Sequence, residues 1–408
     1  MIPVAGRPQV LMLRDTDEVR RVLHDMRVSA GGIDIMDKKA LFRVVRVKGL
    51  DVRAANILKQ EMLARGGEVA TSREVYEMGG SDAGCLIMGT LVQYERLLPK
   101  LRQQPFGLRA LADALETVLR HHDAHTPVCH PGLDLRRGPL IMGALNVTPD
   151  SFSDPGDFFD HETAVKGARR MVDEGADIVD VGGESTRPGS DRTPLEEELR
   201  RVLPVVEALA PNIAAPLSVD TYRHEVAAKA LERGAFMIND VTALRGDSEM
   251  VAVVRDAGCP VVLMHMLGEP KTMQENPVYE NVVEDLYSFF AERLTWAVDQ
   301  GVEERNLIID PGIGFGKTLA HNLALIRHLQ TFRSLGRPVL LGASRKRFIG
   351  AVLGLPEPKD RVIGTVATSV IAAMQDVDIV RVHDVAENAQ AIAIARAVFP
   401  CHDNEPHG

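Results

Sequence analysis

Only four cysteines occur in the 408 residues, Cys85, Cys129, Cys259 and Cys401, and they are far apart with no CxxC pair. That pattern argues against a disulfide framework and against a standard structural zinc site. Aromatic residues are scarce at 4%, so the cores must be mostly aliphatic, which the 45% hydrophobic content allows. Basic residues are outnumbered, 47 Lys and Arg against 57 Asp and Glu, for a net charge of −10. A non-specific nucleic-acid binder wants a basic face, so no nucleic-acid partner is expected. A local cationic pocket for an anionic substrate stays open. The start, Met1-Ile2-Pro3-Val4, lacks a basic region followed by an apolar run, so no signal peptide is read. No apolar stretch approaches the roughly 18–20 residues that a membrane span needs. The expectation is a soluble cytoplasmic protein with no membrane partner.

One stretch breaks the chain in two. Residues 125–138 are rich in His, Pro, Gly and Arg and show no apolar period, which reads as a linker. His121, His122, His125, Cys129 and His130 crowd it without standard metal-ligand spacing, so a polar linker is the better reading. Residues 1–124 form one domain, 139–400 a second of barrel size, and 401–408 a tail.

The second part alternates short apolar runs with helical patterns. The runs are Leu140–Leu145, Ile178–Val181, Pro216–Val219, Phe236–Ile238, Val261–Met264, Leu307–Ile309, Val339–Leu341 and Ile379–Val382. Each is nearly continuous, as a parallel strand buried on both faces requires. Segments such as Glu162–Glu174, Glu196–Leu209, Val282–Gln300 and Arg361–Met374 space their apolar residues for helices. Gly175, Gly234, Gly258 and Gly301 sit where helices should stop. Eightfold alternation favours an α/β (β/α)8 TIM barrel over an open doubly wound sheet.

Polar residues recur at the C-terminal ends of these strands: Asn146, Glu184, Asp220, Asn239, His265, Asp310, Ser344-Arg345-Lys346, Arg381 and His383. In a barrel those ends converge on the face where active sites lie. Asp220, Asn239 and Asp310 come from different strands, and converging acceptors need a donor-rich ligand or a metal. Arg381 and His383 alternate on the last strand and share a face. With Lys346 they suit a phosphate-like anion or leaving group. His265 reads as core or a supporting residue. Gly312-Ile313-Gly314-Phe315-Gly316-Lys317-Thr318 resembles a nucleotide loop, but Pro311 and Lys317 stand where the phosphate-binding motifs need Gly. It reads as a glycine-lined turn that brings backbone and Phe315 to a flat ligand. The Glu196-Glu197-Glu198 run reads as a solvated helix start.

Residues 139–399 resemble dihydropteroate synthase. The matching runs are Asn146–Ser153, Gly182–Gly189, Ser218–Thr221, Ile238–Val241, Met264–Met266, Asp310–Thr318, Ser344–Lys346 and Arg381–Asp384, in the family's order. The resemblance implies that Asp220, Asn239, Asp310 and Lys346 hold a pterin, with Met264, Phe315 and Arg381 against its ring. It implies that Asn146, Arg381 and His383 bind a diphosphate, with Asn146 also a ligand to Mg²⁺. Thr186, Arg187, Pro188 and Ser344 would form the 4-aminobenzoate site. Asp220, Lys346, Arg381 and His383 would act in catalysis, and the chain would pair as a homodimer through the barrel's outer helices. Pro155 and Arg347 depart from the family pattern, where Gly and a small residue are common. Pterin-binding corrinoid methyltransferases share the fold, and a non-catalytic pterin-binding paralogue is a further alternative. The methyltransferases do not carry Asn146–Ser153, Ser344–Lys346 and Arg381–His383 together.

The first domain reads as small and α+β. Strands are expected over Leu41–Val47, near Glu68–Ala70 and over Ala83–Leu91. Helices are expected over Ala54–Ala64, Tyr94–Gln103 and Leu108–Arg120. Ferredoxin-like packing is the expectation, and no motif in it attaches to chemistry.

Overall fold

Side-chain parity along the strands of the second unit decides what the fold buries. In this computed structural model, which describes residues 8–76, 83–124, 126–147, 161–184, 192–268, 273 and 275–399, the chain divides into Met1–Asp123 and Ala124–Gly408. The first unit holds strands β1 (Phe42–Leu50), β2 (Glu68–Thr71) and β3 (Ala83–Thr90). The second holds β4 (Leu140–Asn146), β5 (Ile178–Gly182), β6 (Leu217–Asp220), β7 (Met237–Asp240), β8 (Val261–Met264), β9 (Leu307–Asp310), β10 (Leu340–Leu341) and β11 (Ile379–Val382).

The eight strands from β4 onward form one parallel sheet, ordered β10-β11-β4-β5-β6-β7-β8-β9. A parallel bridge from Ile309 to Val339 joins β9 to the start of β10 and closes the barrel. Outward residues, among them Ile141, Val179, Val219, Ile238, Leu263, Ile309 and Val380, pack in one core with the helices. The helix Val282–Asp299 shows how: Asn281 caps it by accepting from the amides of Val283 and Glu284, and Leu286, Phe290, Leu294 and Ala297 are buried along one face. Gly175, Gly234, Gly258 and Gly301 all have positive φ, as helix-ending glycines do. The helix Val385–Val398 follows β11.

Inward residues separate into an apolar and a polar half. Leu140, Met142, Ile178, Met237, Val262, Ile308, Leu340 and Ile379 fill the N-terminal half of the barrel. Leu133 and Leu135 join that cluster. The stretch that reads as a linker by composition therefore plugs the barrel's floor, a role hidden by the polar residues around its two leucines.

In the first unit β1 and β2 each pair antiparallel with β3, which lies between them. Helix Val52–Leu63 joins β1 to β2. This is a split β-α-β arrangement with three strands among the described residues, where ferredoxin-like packing has four. Val69, Ile87, Leu58, Tyr94 and Leu97 are in its core. The helices Thr16–Asp25 and Ala30–Met36 precede the sheet and were not read from the sequence. Among the described residues no helix is long and apolar enough to cross a membrane.

Candidate active site

Above the apolar half, the inward positions become polar. Asp180 and Gly182 on β5, Ser218 and Asp220 on β6, Asn239 on β7, Asp310 on β9 and Arg381 on β11 follow the same parity as the apolar residues below them. Arg381 is the hub. Its Nε donates to Asp180 Oδ2 at 2.6 Å and its Nη2 to Asp220 Oδ2 at 2.9 Å. Asn239 Nδ2 donates to the same Asp180 oxygen at 3.1 Å. Burial disfavours charge on Arg381, but Asp180 and Asp220 outweigh it and raise its pKa further. Burial raises Asp220 well above the usual carboxylate range, against the pull of Arg381.

Asp310 and Lys346 complete this side. Asp310 is buried, accepts from the Gly312 amide at 2.7 Å, and has its pKa raised by burial. Lys346 lies over the Phe315 ring at 4.6 Å and donates to the Ile313 carbonyl. Burial lowers its pKa to about 8. Gly342 keeps the centre open: a Cβ there would lie 3.7 Å from Asp310 Oδ2, 3.8 Å from Lys346 Nζ and 4.0 Å from Arg381 Cβ. Met264 clusters with Val241, Met266 and Met273, with Phe315 packed against them. Together these groups make a slot with hydrogen-bond acceptors at its floor, a cation at its edge and an apolar wall.

The glycine turn is built by backbone need. Gly312, Gly314 and Gly316 all have positive φ, and a Cβ on Gly312 would sit 2.0 Å from the His265 carbonyl oxygen. Lys317, 3% exposed, pins the turn from beneath. Its Nζ donates to His265 Nδ1 at 3.0 Å and to the Phe315 carbonyl at 2.9 Å. Burial brings Lys317 down to about 7 and His265 down to about 2, so the imidazole accepts. His265 is thus a supporting residue.

A second wall runs along β10, β11 and β4, which are neighbours. Asn146 Nδ2 lies 3.2 Å from His383 Nε2, and His383 Nδ1 lies 2.9 Å from Ser344 Oγ. Arg345 has φ 54° and pairs with Asp384, turning the chain so that Lys346 faces the slot. Arg347 is exposed as the first residue of the helix Arg347–Leu353, so its departure from the family pattern falls on the outside. Thr186, Arg187 and Pro188 lie outside the described residues, as do Pro155 and the Thr148–Ser153 part of the first motif.

Sequence reading missed Asp180, Glu198 and Arg223. Asp180 hid inside the apolar run Ile178–Val181, although a lone carboxylate at an inward position of a buried strand is itself a signal. Glu198 is 1% exposed, and the solvated reading of its acidic run is corrected for it. It accepts from Thr221 Oγ1 at 2.7 Å and from Arg223 Nη1 at 2.6 Å. Arg223 also donates to the Thr193 carbonyl at 2.6 Å and pairs with Glu184 at 3.4 Å. It therefore holds described residues on both sides of segment 185–191.

Known proteins carry the same barrel. A family model described as pterin binding enzyme matches residues 142–383. A dihydropteroate synthase of Synechocystis is 42% identical over 287 residues, covering 70% of this chain and 99% of that one. A probable bifunctional folylpolyglutamate synthase/dihydropteroate synthase of Haloferax volcanii is 41% identical over 397 residues, covering 94% of this chain and 46% of that one. The chain thus spans about half the length of that relative. The crystal structure of a Yersinia pestis dihydropteroate synthase with a sulfonamide drug complex matches with TM-score 0.62 and 46% identity, over 65% of this chain and 95% of that one. A Xanthomonas albilineans dihydropteroate synthase with 4-aminobenzoic acid matches with TM-score 0.62 and 48% identity, over 65% and 94%. With the barrel and its polar slot, these matches place the chain in the pterin-binding enzyme family, among the dihydropteroate synthases.

Proposed function

We propose that this chain condenses 6-hydroxymethyl-7,8-dihydropterin diphosphate with 4-aminobenzoate to give 7,8-dihydropteroate and diphosphate. The observation that carries this reading is the slot itself: Asp220, Asn239 and Asp310 on three strands, with Lys346 and Arg381 beside them. Acceptors brought together from three strands suit the donor edge of a pterin, and the cations suit its diphosphate.

The amine of 4-aminobenzoate is a weak nucleophile, so the C–O bond to diphosphate breaks ahead of C–N bond formation. The amine then releases one proton. Arg381 and His383 stabilise the leaving diphosphate, and Asp220 stabilises cationic character on the pterin methylene. Phe315 and Met264 hold the ring against the slot wall. Thr186, Arg187, Pro188 and Ser344 are the proposed 4-aminobenzoate contacts.

The residues present fit Mg²⁺. Asn146 Oδ1 and Asp220 Oδ2 each lie 3.8 Å from where a Cβ on Gly182 would stand, so the glycine leaves a cradle beside a hard carbonyl oxygen. Mg²⁺ takes few protein ligands and completes its shell with water and phosphate oxygens, so Asn146 would hold it. When bound, the ion neutralises charge on the departing diphosphate.

The proposal extends to a homodimer in the cytoplasm. Leu319, Leu323, Val352, Leu353 and Ile363 are exposed on outer helices and supply apolar surface for a second copy.

Lys346→Ala tests the catalytic reading. Turnover should fall at least about 100-fold, as loss of a preorganised charge does, with an unchanged circular dichroism spectrum. Wild-type turnover in that variant would remove Lys346 from its role.

A further inference from the structure

Asp180 has no assigned part in this chemistry, yet its placement is unusual. It is 0% exposed on β5 and shares one oxygen between Arg381 Nε and Asn239 Nδ2, at 2.6 and 3.1 Å. Those two residues stand on β11 and β7, on opposite sides of β5 in the sheet order. The Arg381 side chain passes β4 to reach it. At that level β4 carries Ala144, paired in register with Asp180, and an alanine leaves room for the guanidinium.

An isolated carboxylate at such a position is costly, because taking it out of water is offset only by well-made partners. Among the described residues its other oxygen, Oδ1, is buried without a hydrogen-bond partner, and so is Oγ of Ser218, its register partner on β6. Core strength does not explain an under-satisfied carboxylate in an aliphatic barrel, since an apolar residue there would avoid the desolvation cost. Control over the aim of its partners does explain it. Without Asp180, Arg381 keeps among the described residues one hydrogen-bonded carboxylate, Asp220, which the proposed function gives to the substrate.

We propose that Asp180 is a positioning residue that fixes Arg381 and Asn239 relative to each other, leaving Asp220 available to the pterin. It does not touch the reacting atoms. The inference rests on the pterin-binding reading of the slot. Misplacing a binding group by about 1 Å costs on the order of 100-fold in rate, so the effect is measurable.

The test is a double-mutant cycle on the full chain, with Asp180→Asn made in the wild-type and in the Arg381→Lys backgrounds. In the wild-type background kcat/KM for the pterin diphosphate should fall about 10- to 100-fold, with KM for 4-aminobenzoate within about twofold. In the Arg381→Lys background the same change should cost under about threefold. An equal loss in both backgrounds would overturn the proposal, as would wild-type kcat/KM in folded Asp180→Asn. Asp180→Ser, which leaves space beside Arg381, replaces the amide if that variant does not fold, with the same outcomes. Calorimetric titration with the pterin diphosphate keeps the two readings apart. If the wild-type chain binds the pterin but forms no product, the condensation reading fails. The anchor is then judged by whether Asp180→Asn weakens binding at least about tenfold in the wild-type background alone.

Discussion

Asn146 Nδ2 lies 3.2 Å from His383 Nε2, joining the rim of β4 to the residue that follows β11. With Nδ2 turned to the imidazole, Asn146 Oδ1 points to the side of Gly182, 3.8 Å from where a Cβ there would stand, as does Asp220 Oδ2. The contact sets the direction of the one oxygen assigned to the metal.

That orientation predicts a metal-specific defect. Asn146→Ala should raise the Mg²⁺ concentration for half-maximal turnover at least about tenfold, the size of effect typical when a metal site loses its support. Turnover measured against Mg²⁺ checks it. An unchanged Mg²⁺ dependence would remove Asn146 as the ligand.

Activity should depend on pH with two limbs set by opposite charges. In the proposed role Asp220 must be ionised to accept fully from the pterin, and burial raises its pKa above the usual carboxylate range. Lys346 must carry its proton, and burial lowers its pKa to about 8. Log kcat/KM for the pterin diphosphate should therefore rise with pH through a limb displaced upward from ordinary carboxylates, then fall through about 8. A plateau continuing past the lysine limb would show that the charge on Lys346 is not needed.

Arg223 predicts a stability defect. Its guanidinium, 16% exposed, faces Glu198, which is 1% exposed, and removing one partner strands the other charge. Arg223→Met should lower unfolding free energy by about 3–5 kcal/mol. Urea denaturation followed by circular dichroism measures it. A loss below about 1 kcal/mol would mean that the pair is solvated well enough to need no partner.

The barrel floor predicts where the second unit can be cut. A chain starting at Ala124 keeps Leu133 and Leu135, whereas one starting at Pro139 loses both. Burying two leucines contributes about 3–6 kcal/mol, so the shorter piece should unfold at a clearly lower urea concentration. Equal midpoints would show that the plug adds nothing.

Much of this site was legible because a barrel strand repeats every two residues. The parity that put Arg381 and His383 on one face also put Asp220, Asn239 and Asp310 inside, at strand ends. What stayed hidden depended on contacts between residues distant in sequence. Helical period places Glu198 on the face of Val202, Val205 and Leu209, a signal masked by the acidic run it sits in, and its partner Arg223 is 25 residues on. Asp180 meets Arg381 across 201 residues, and Leu133 and Leu135 acquire meaning only once the barrel floor exists. Lys317 was read solely as evidence against a nucleotide loop, whereas its contact with His265 holds the glycine turn in place.

The most direct test is product formation by the purified full chain, given Mg²⁺, 6-hydroxymethyl-7,8-dihydropterin diphosphate and 4-aminobenzoate. Mass spectrometry should detect 7,8-dihydropteroate, with one diphosphate released for each molecule formed. A folded protein that binds the pterin yet yields no dihydropteroate, or releases diphosphate without joining the aminobenzoate, would contradict the account.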